Sequence, residues 1–97
     1  ETYVKTYFRD EVMHRIAECE SGFTQFDENG KPLKNPSSTA TGIFQIMKSL
    51  HNKEAKEMGF DINTLEGNVK YAEYLYQKNG TKDWIASADC WSPTESG

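Results

Sequence analysis

The two cysteines of this chain, Cys19 and Cys90, constrain its fold more than any other feature of the sequence. A disulfide between them would close a loop of about 72 residues and, by reducing the entropy of the unfolded chain, stabilise the fold by roughly 4 kcal/mol. Such a bridge requires an oxidising compartment. The alternative is a pair of buried free thiols in a cytosolic protein. We favour the bridge, and with it a secreted or cell-envelope (extracytoplasmic) location.

The size and composition of the chain indicate one small globular domain. Its 97 residues suit a single domain, 1–97, and leave little room for a second. Hydrophobic residues make up 36% and aromatic residues 12%, which is enough for one core and unlike a disordered chain. No apolar run is long enough to span a membrane. The formal net charge of −4 argues against a nucleic-acid partner, since such partners normally bind a basic surface.

The first third of the chain shows a helical pattern followed by a polar segment. Apolar residues at helical spacing predict one amphipathic helix from Val4 to Glu20, and Gly22 is suited to end it. Residues 23–38 change character around a turn signal at Asp27–Gly30. This segment fits a short β-hairpin and an Ω-like loop equally well.

The remaining two thirds of the chain are expected to be helical. Ser49 can cap a second start within the first of these segments, so one helix or two short ones are expected there, ended by Gly59. Asn63 with Glu66 forms a capping-box-like start for the next helix. The predicted helical segments are approximately 43–58, 63–79 and 83–90. The predicted fold class is therefore mainly α (α+β), with a short β-hairpin or loop after the first helix.

Glu20 is the residue whose position suggests chemistry. On a helix with about 100° per residue, it lies roughly 40° from Ile16 and roughly 20° from Met13, on the apolar face. Partial burial favours the neutral form of a carboxyl group and raises its pKa. A glycosidase needs such an acid to protonate the leaving oxygen of a glycosidic bond. The alternative is a helix-terminal glutamate whose side chain bends into water.

Several segments around Glu20 resemble a known enzyme family. Glu20–Phe23 (Glu-Ser-Gly-Phe) and Ala40–Met47 (Ala-Thr-Gly-Ile-Phe-Gln-Ile-Met) are similar to the first two signatures of the lytic transglycosylases with the goose-type lysozyme fold. Met58–Phe60, and then Gly67–Val69 with Tyr74–Leu75, resemble later parts of the same pattern. The resemblance extends over residues 8–91 and implies a lysozyme-like fold that cleaves peptidoglycan glycan strands at the β-1,4 MurNAc–GlcNAc bond.

The cysteines carry a second resemblance within the same superfamily. A cysteine directly before Glu20, with a late Cys90, is similar to the resuscitation-promoting factor family. In that family the first cysteine is bridged to one near the end of the domain. The resemblance therefore implies a Cys19–Cys90 disulfide that fastens the catalytic helix to the last helix.

The resemblance also implies roles for individual residues. Glu20 would act as general acid and then base, while Ser21 would position Glu20 or the acetamido group of the substrate. Gln45 would line the sugar groove, and Gly42 would let the backbone approach the glycan. Purely structural alternatives stay open for these three partners of Glu20: a local backbone bond for Ser21, a solvated helix position for Gln45, and a turn for Gly42.

The chain departs from the transglycosylase pattern near its end. The fourth signature of that family contains Ala-Ala-Tyr-Asn, whereas Trp84–Trp91 of this chain contains no Tyr-Asn pair. Ser87 or Asp89 would then take over part of the role of the tyrosine, and Ser87 joins the predicted substrate-binding residues. This departure leaves open whether the product is the 1,6-anhydro sugar of a transglycosylase or the reducing sugar of a hydrolase. A hydrolase normally needs a second carboxylate, for which Asp27, Glu28 and Asp89 are candidates.

The predicted partner is thus peptidoglycan, bound by a monomer without cofactor or metal. The two histidines, His14 and His51, are isolated and lack the spacing of a metal site. Two other classes of function stay open: a catalytically inactive peptidoglycan-binding module, and a disulfide-stapled scaffold with no role in glycan binding.

Overall fold

The computed structural model describes residues 2–92, which form a mainly helical fold with one small antiparallel sheet. In chain order the elements are α1 (Thr2–Tyr7), α2 (Glu11–Ser21), β1 (Ala40–Thr41), β2 (Ile46–Met47), α3 (Lys48–Glu57), α4 (Leu65–Asn79), a 3₁₀ helix (Lys82–Ser87) and α5 (Ala88–Trp91). The predicted fold class, mainly α with a small β element, is confirmed.

The prediction of one continuous first helix is wrong. The helix is interrupted between α1 and α2, where Asp10 has an extended backbone with φ −76° and ψ 120°. The Asp10 carboxylate accepts a hydrogen bond from Tyr76 Oη at 2.7 Å, and His14 Nε2 contacts the Phe8 carbonyl at 2.8 Å. These contacts hold the break. The apolar spacing runs through it unchanged, because Val4 and Met13 are both buried in the same core.

The end of α2 is where the sequence places it. Gly22 follows the helix with a left-handed backbone at φ 64°, a conformation that glycine adopts without the strain of a side chain. Its N–H donates to the Glu18 carbonyl at 2.8 Å. The last turn of α2, which carries Glu20, is therefore fixed by an ordinary glycine cap.

Residues 23–38 form a loop rather than a regular hairpin. The loop is closed by two isolated antiparallel bridges, Phe26–Pro32 and Lys34–Thr41. The hairpin of this fold comes later: β1 pairs with β2, with Ala40 opposite Met47 and Thr41 opposite Ile46.

The predicted helix over 43–58 begins later than expected. Residues 42–47 form the turn and second strand of the hairpin, so only α3 is helical. The spacing of Leu50 from Ile43, Ile46 and Met47 would place it on the apolar face of such a helix, but it is 71% exposed. The predicted end at Gly59 is confirmed: φ is 86°, Gly59 N–H donates to the Lys56 carbonyl, and Phe60 N–H donates to the Ala55 carbonyl at 2.8 Å. These two bonds make a Schellman motif.

Helix α4 forms one wall of the core. Its N-cap is Thr64, whose hydroxyl accepts the Gly67 N–H at 3.0 Å, so the predicted start at Asn63 is one residue early. Helix α5 and the 3₁₀ helix pack against α2, and all of these elements contribute to one hydrophobic core. Its largest fully buried apolar side chains are Tyr71, Phe44, Met13, Ile16, Ile43, Ile62, Val4 and Val69. None of the helices within residues 2–92 is long and apolar enough to span a membrane.

Candidate functional site

Glu20 lies in the last turn of α2 and is half-buried. It follows the buried stripe of Met13, Ile16 and Ala17, as its predicted position on the apolar face requires. Its Oε2 accepts a hydrogen bond from Ser87 Oγ at 2.5 Å. The structure thus joins two of the residues that the sequence assigns to one site, although they are 67 positions apart.

Burial raises the pKa of Glu20 above its ordinary value of 4.5, since removal from water disfavours the charged carboxylate. The hydrogen bond from Ser87 acts in the opposite direction, because a donor stabilises the carboxylate. Desolvation is the larger effect. The result is a carboxyl group that holds its proton at a higher pH than a solvated glutamate does.

The Ser87 hydroxyl contacts the indole N–H of Trp91 and the backbone carbonyl of Trp84. Trp91 Nε1 donates to Ser87 Oγ at 2.9 Å and also lies 3.2 Å from the Trp84 carbonyl oxygen. Ser87 Oγ is itself 3.1 Å from that carbonyl. Trp84 and Trp91 are both buried, at 3% and 5% exposed. The hydroxyl that meets Glu20 is therefore held within the packed C-terminal segment rather than on a mobile surface side chain.

The Cys19–Cys90 disulfide predicted from the sequence is present. Its S–S length is 2.04 Å, and the two Cα atoms are 6.0 Å apart. The bridge joins α2 to α5 at the residues directly beside Glu20 and Trp91. The covalent link therefore fastens together the two segments that form the Glu20–Ser87 contact.

Ser21 follows Glu20 in the chain, but its side chain makes only internal contacts. Its Oγ donates towards the Ile43 carbonyl at 2.7 Å, lies 3.1 Å from the Ala17 carbonyl, and accepts the Thr24 N–H at 3.1 Å. These contacts tie the end of α2 to the hairpin. They match the structural alternative for Ser21, while its role towards a substrate stays a prediction.

Gly42 and Gln45 both belong to the turn of the hairpin. Gly42 has φ 82°, and an added Cβ would collide with the Asn68 amide and lie 2.8 Å from Gln25 Oε1. Internal packing is thus sufficient reason for a glycine there. Gln45 has φ 50°, and its Nε2 donates to the Gly42 carbonyl at 2.9 Å. Contact of either residue with a glycan stays a prediction.

Two buried polar side chains, Gln25 and Asn68, shape this turn and were not recognised as important from the sequence. Gln25 Oε1 accepts the Ile43 N–H at 2.8 Å, and Asn68 Oδ1 accepts the Phe44 N–H at 3.0 Å. Asn68 Nδ2 also donates to the Thr41 carbonyl at 2.9 Å. A signal for Asn68 existed, because its helical spacing from Ala72 and Leu75 places it on the apolar side of α4, where a polar residue needs buried partners.

The candidates for a second carboxylate do not join Glu20. Asp27 Oδ1 accepts the N–H groups of Asn29 and Lys31 at 2.8 and 3.0 Å, which makes it a turn residue. Glu28 and Asp89 are exposed, in the loop and on α5 respectively. Within residues 2–92 no group of three or more His, Cys, Asp or Glu side chains is arranged to hold a metal ion.

A separate polar cluster lies between α3 and α4. Glu54 accepts hydrogen bonds from Tyr71 Oη at 2.6 Å and from Tyr74 Oη at 3.1 Å. His51 Nδ1 is 3.0 Å from Tyr71 Oη, and its Nε2 is 3.9 Å from Asp83 Oδ1. The cluster therefore connects two helices and the start of the 3₁₀ helix.

Comparisons with protein-family models, with curated proteins and with solved structures find no match to this chain. The resemblance to lytic transglycosylases and to resuscitation-promoting factors therefore stays a prediction. The functional argument depends on the chemistry of the site itself.

Proposed function

We propose that this chain cleaves the β-1,4 MurNAc–GlcNAc bond of peptidoglycan, with Glu20 as general acid and then general base. The observation that carries the proposal is the half-buried Glu20 carboxyl, whose pKa burial raises above 4.5 and whose Oε2 accepts a hydrogen bond from the Ser87 hydroxyl. A carboxyl group that keeps its proton can protonate a glycosidic oxygen as the bond to the anomeric carbon breaks.

The same carboxyl group serves the second step as a base. After it has given its proton to the leaving sugar, the carboxylate is stabilised by the Ser87 hydroxyl. It then removes a proton from the hydroxyl that attacks the anomeric carbon. An attack by the C6 hydroxyl of the same MurNAc gives a 1,6-anhydro product, whereas an attack by water gives a reducing sugar.

The environment of Asp27 bears on the choice between these products. Its Oδ1 is occupied by two backbone N–H groups of its own turn, so it is poorly suited to act as a second catalytic carboxylate. Transglycosylation needs no second carboxylate, because the acetamido group of the substrate can assist. The position of Asp27 therefore supports lytic transglycosylation over hydrolysis.

The disulfide supports an extracytoplasmic site of action. Bridges of this kind persist in secreted and cell-envelope proteins and are rare in the reducing cytosol. Peptidoglycan lies in that same oxidising environment. We therefore propose that the protein, as a monomer, meets its glycan substrate outside the cytoplasm.

The experiment is to incubate purified sacculi with the protein and to identify the soluble products by mass spectrometry. We expect anhydro-muropeptides, which are about 18 Da (one water) lighter than their reducing counterparts. Reducing muropeptides would instead identify a hydrolase. Binding to sacculi without any soluble product would identify the inactive binding module. The absence of both binding and product would contradict any role in glycan recognition.

A further inference from the structure

The indole N–H of Trp91 occupies an unusual position for a core tryptophan. An indole nitrogen can only donate, and this one donates to Ser87 Oγ at 2.9 Å with the Trp84 carbonyl as a more distant acceptor at 3.2 Å. The Trp91 residue is buried, with 5% of its surface exposed. Ser87 Oγ is therefore the acceptor of a part-buried hydrogen bond from a core tryptophan.

This bond restricts the direction of the Ser87 hydroxyl proton. A serine hydroxyl has one proton to donate, and the oxygen lone pair that accepts from Trp91 is no longer free. Within the part of the chain that the structure describes, the remaining acceptors are Glu20 Oε2 at 2.5 Å and the Trp84 carbonyl at 3.1 Å. When Glu20 is ionised, its carboxylate can only accept, and it is closer and forms the stronger, charge-assisted bond. The proton of Ser87 therefore points to Glu20.

We propose that Trp91 is a positioning residue that acts on Glu20 through Ser87, by holding the serine hydroxyl as a donor to the carboxylate. The hydrogen-bond chain runs from Trp91 Nε1 to Ser87 Oγ and on to Glu20 Oε2. The catalytic meaning of this proposal rests on the proposed function. In that function Glu20 must be stable both with and without its proton. Burial alone would favour the protonated form only.

The disulfide links the backbone at the two ends of this hydrogen-bond chain. Cys19 directly precedes Glu20, and Cys90 directly precedes Trp91. The two ends of the hydrogen-bond chain are thus held by one covalent link. A small catalytic domain gains from this arrangement, because positioning groups act only when they are held within a fraction of an ångström.

The test is a double-mutant cycle on the pKa of Glu20, measured by NMR of the side-chain carboxyl carbon without any glycan present. We expect Ser87→Ala to raise the pKa of Glu20 because it removes the donor to the carboxylate. Trp91→Phe should raise it less. In the Ser87→Ala background, Trp91→Phe should cause no further shift, because Trp91 acts only through the serine.

Trp84→Phe is the matched control, since it removes an equally buried indole N–H that donates to the Phe44 carbonyl at 2.9 Å. It should leave the pKa of Glu20 unchanged. No shift with Trp91→Phe, or an equal shift with and without Ser87, would overturn the proposal.

A measurement on the unaltered protein covers the case in which Trp91→Phe does not fold. The indole N–H resonance of Trp91 should shift with pH along the titration curve of Glu20, and this response should vanish in Ser87→Ala. A flat indole resonance would contradict the proposal. These experiments do not depend on cleavage, whereas the proposed function fails separately if sacculi release no product.

Discussion

Two glutamates, Glu20 and Glu54, both accept hydrogen bonds from hydroxyl groups, yet their surroundings shift their pKa values in opposite directions. Among residues 2–92 Glu20 has one donor, Ser87, and its burial outweighs that bond, so its pKa is raised. Glu54 has two tyrosine donors, and the bond from Tyr71 has the largest effect, so its pKa is lowered.

The two environments favour opposite protonation states, the neutral form at Glu20 and the ionised form at Glu54. Residues whose surroundings move their pKa values apart are suited to different roles. The lowered pKa of Glu54 favours its ionised form, which links α3 to α4 through Tyr71 and Tyr74. The raised pKa of Glu20 favours its protonated form, which suits the acid role that we propose. We therefore assign the chemistry to Glu20 and a structural role to the cluster around Glu54.

The largest effect that we expect separates the two glutamates by activity. Glu20→Gln should lower the cleavage of sacculi by at least about 10²-fold, because it removes the general acid. Glu54→Gln should retain cleavage and lower the melting temperature instead. The release of soluble muropeptides, with thermal unfolding as control, measures both. Loss of cleavage in Glu54→Gln at a temperature where that variant is folded would contradict the assignment.

The next prediction uses the disulfide to distinguish the two glutamates, since Cys19 is next to Glu20 in the chain and neither cysteine is next to Glu54. Replacing Cys19 and Cys90 together by serine should lower the free energy of unfolding by about 4 kcal/mol, as expected for a bridge across so long a loop. Urea denaturation measures this loss. Under conditions where the variant stays folded, NMR should show a changed pKa for Glu20 and an unchanged one for Glu54. Equal changes at both sites would mean that the bridge stabilises the whole fold without a special effect on Glu20.

A smaller effect concerns the anchor of Glu54. Tyr71→Phe should lower the free energy of unfolding by about 1 kcal/mol or somewhat more, because it removes a buried hydroxyl that contacts both Glu54 and His51. It should also raise the pKa of Glu54 towards its ordinary value. Tyr74→Phe, which removes the longer bond, is the matched control and should have the weaker effect. A larger change at Glu20 than at Glu54 would contradict the separation of the two sites.

The smallest effect is a pair of opposite pH dependences. The folded-state pKa of Glu20 is above 4.5, so its contribution to stability is present below that value and is lost as the pH rises through the folded-state pKa. The folded-state pKa of Glu54 is below 4.5, so its contribution is present above that value and is lost as the pH falls. Urea denaturation of the protein, Glu20→Gln and Glu54→Gln between roughly pH 3 and 7 should show differences of opposite slope. Parallel slopes would show that the two carboxyl groups titrate alike.

Local signals in the sequence predicted much of this fold. The apolar spacing of α4, the glycine that ends α2 and the glycine after α3 each act over a few residues, so their consequences could be read directly. The disulfide was also predicted, since a short chain with two distant cysteines has few other uses for them. The position of Glu20 on a half-buried helical face followed from the same periodicity.

The features that were mispredicted depend on distant partners. The break before α2 is held by Tyr76, which donates to Asp10 from 66 residues away. The segment predicted as helix became the turn of the hairpin because side chains of Gln25 and Asn68 accept the N–H groups of Ile43 and Phe44. These bonds replace those that a helix would make. Local propensity cannot reveal them.

The candidate site also contains features that local sequence predicts and features that depend on distant partners. Glu20 and the disulfide were predicted with their neighbours along the chain, whereas the contact with Ser87 depends on the packing of the 3₁₀ helix against α2. The turn of the hairpin makes internal contacts that account for Ser21, Gln45 and Gly42 without a substrate. Their proposed roles depend on a complex with glycan.

The most direct test of Glu20 as the general acid is the release of soluble muropeptides from purified sacculi by the protein and by Glu20→Gln, compared side by side. Both proteins should bind sacculi and be folded under the conditions of the assay, so any difference in release reports chemistry alone. We predict soluble muropeptides from the unaltered protein and none above background from Glu20→Gln. Equal release by the two proteins would contradict the assignment of Glu20.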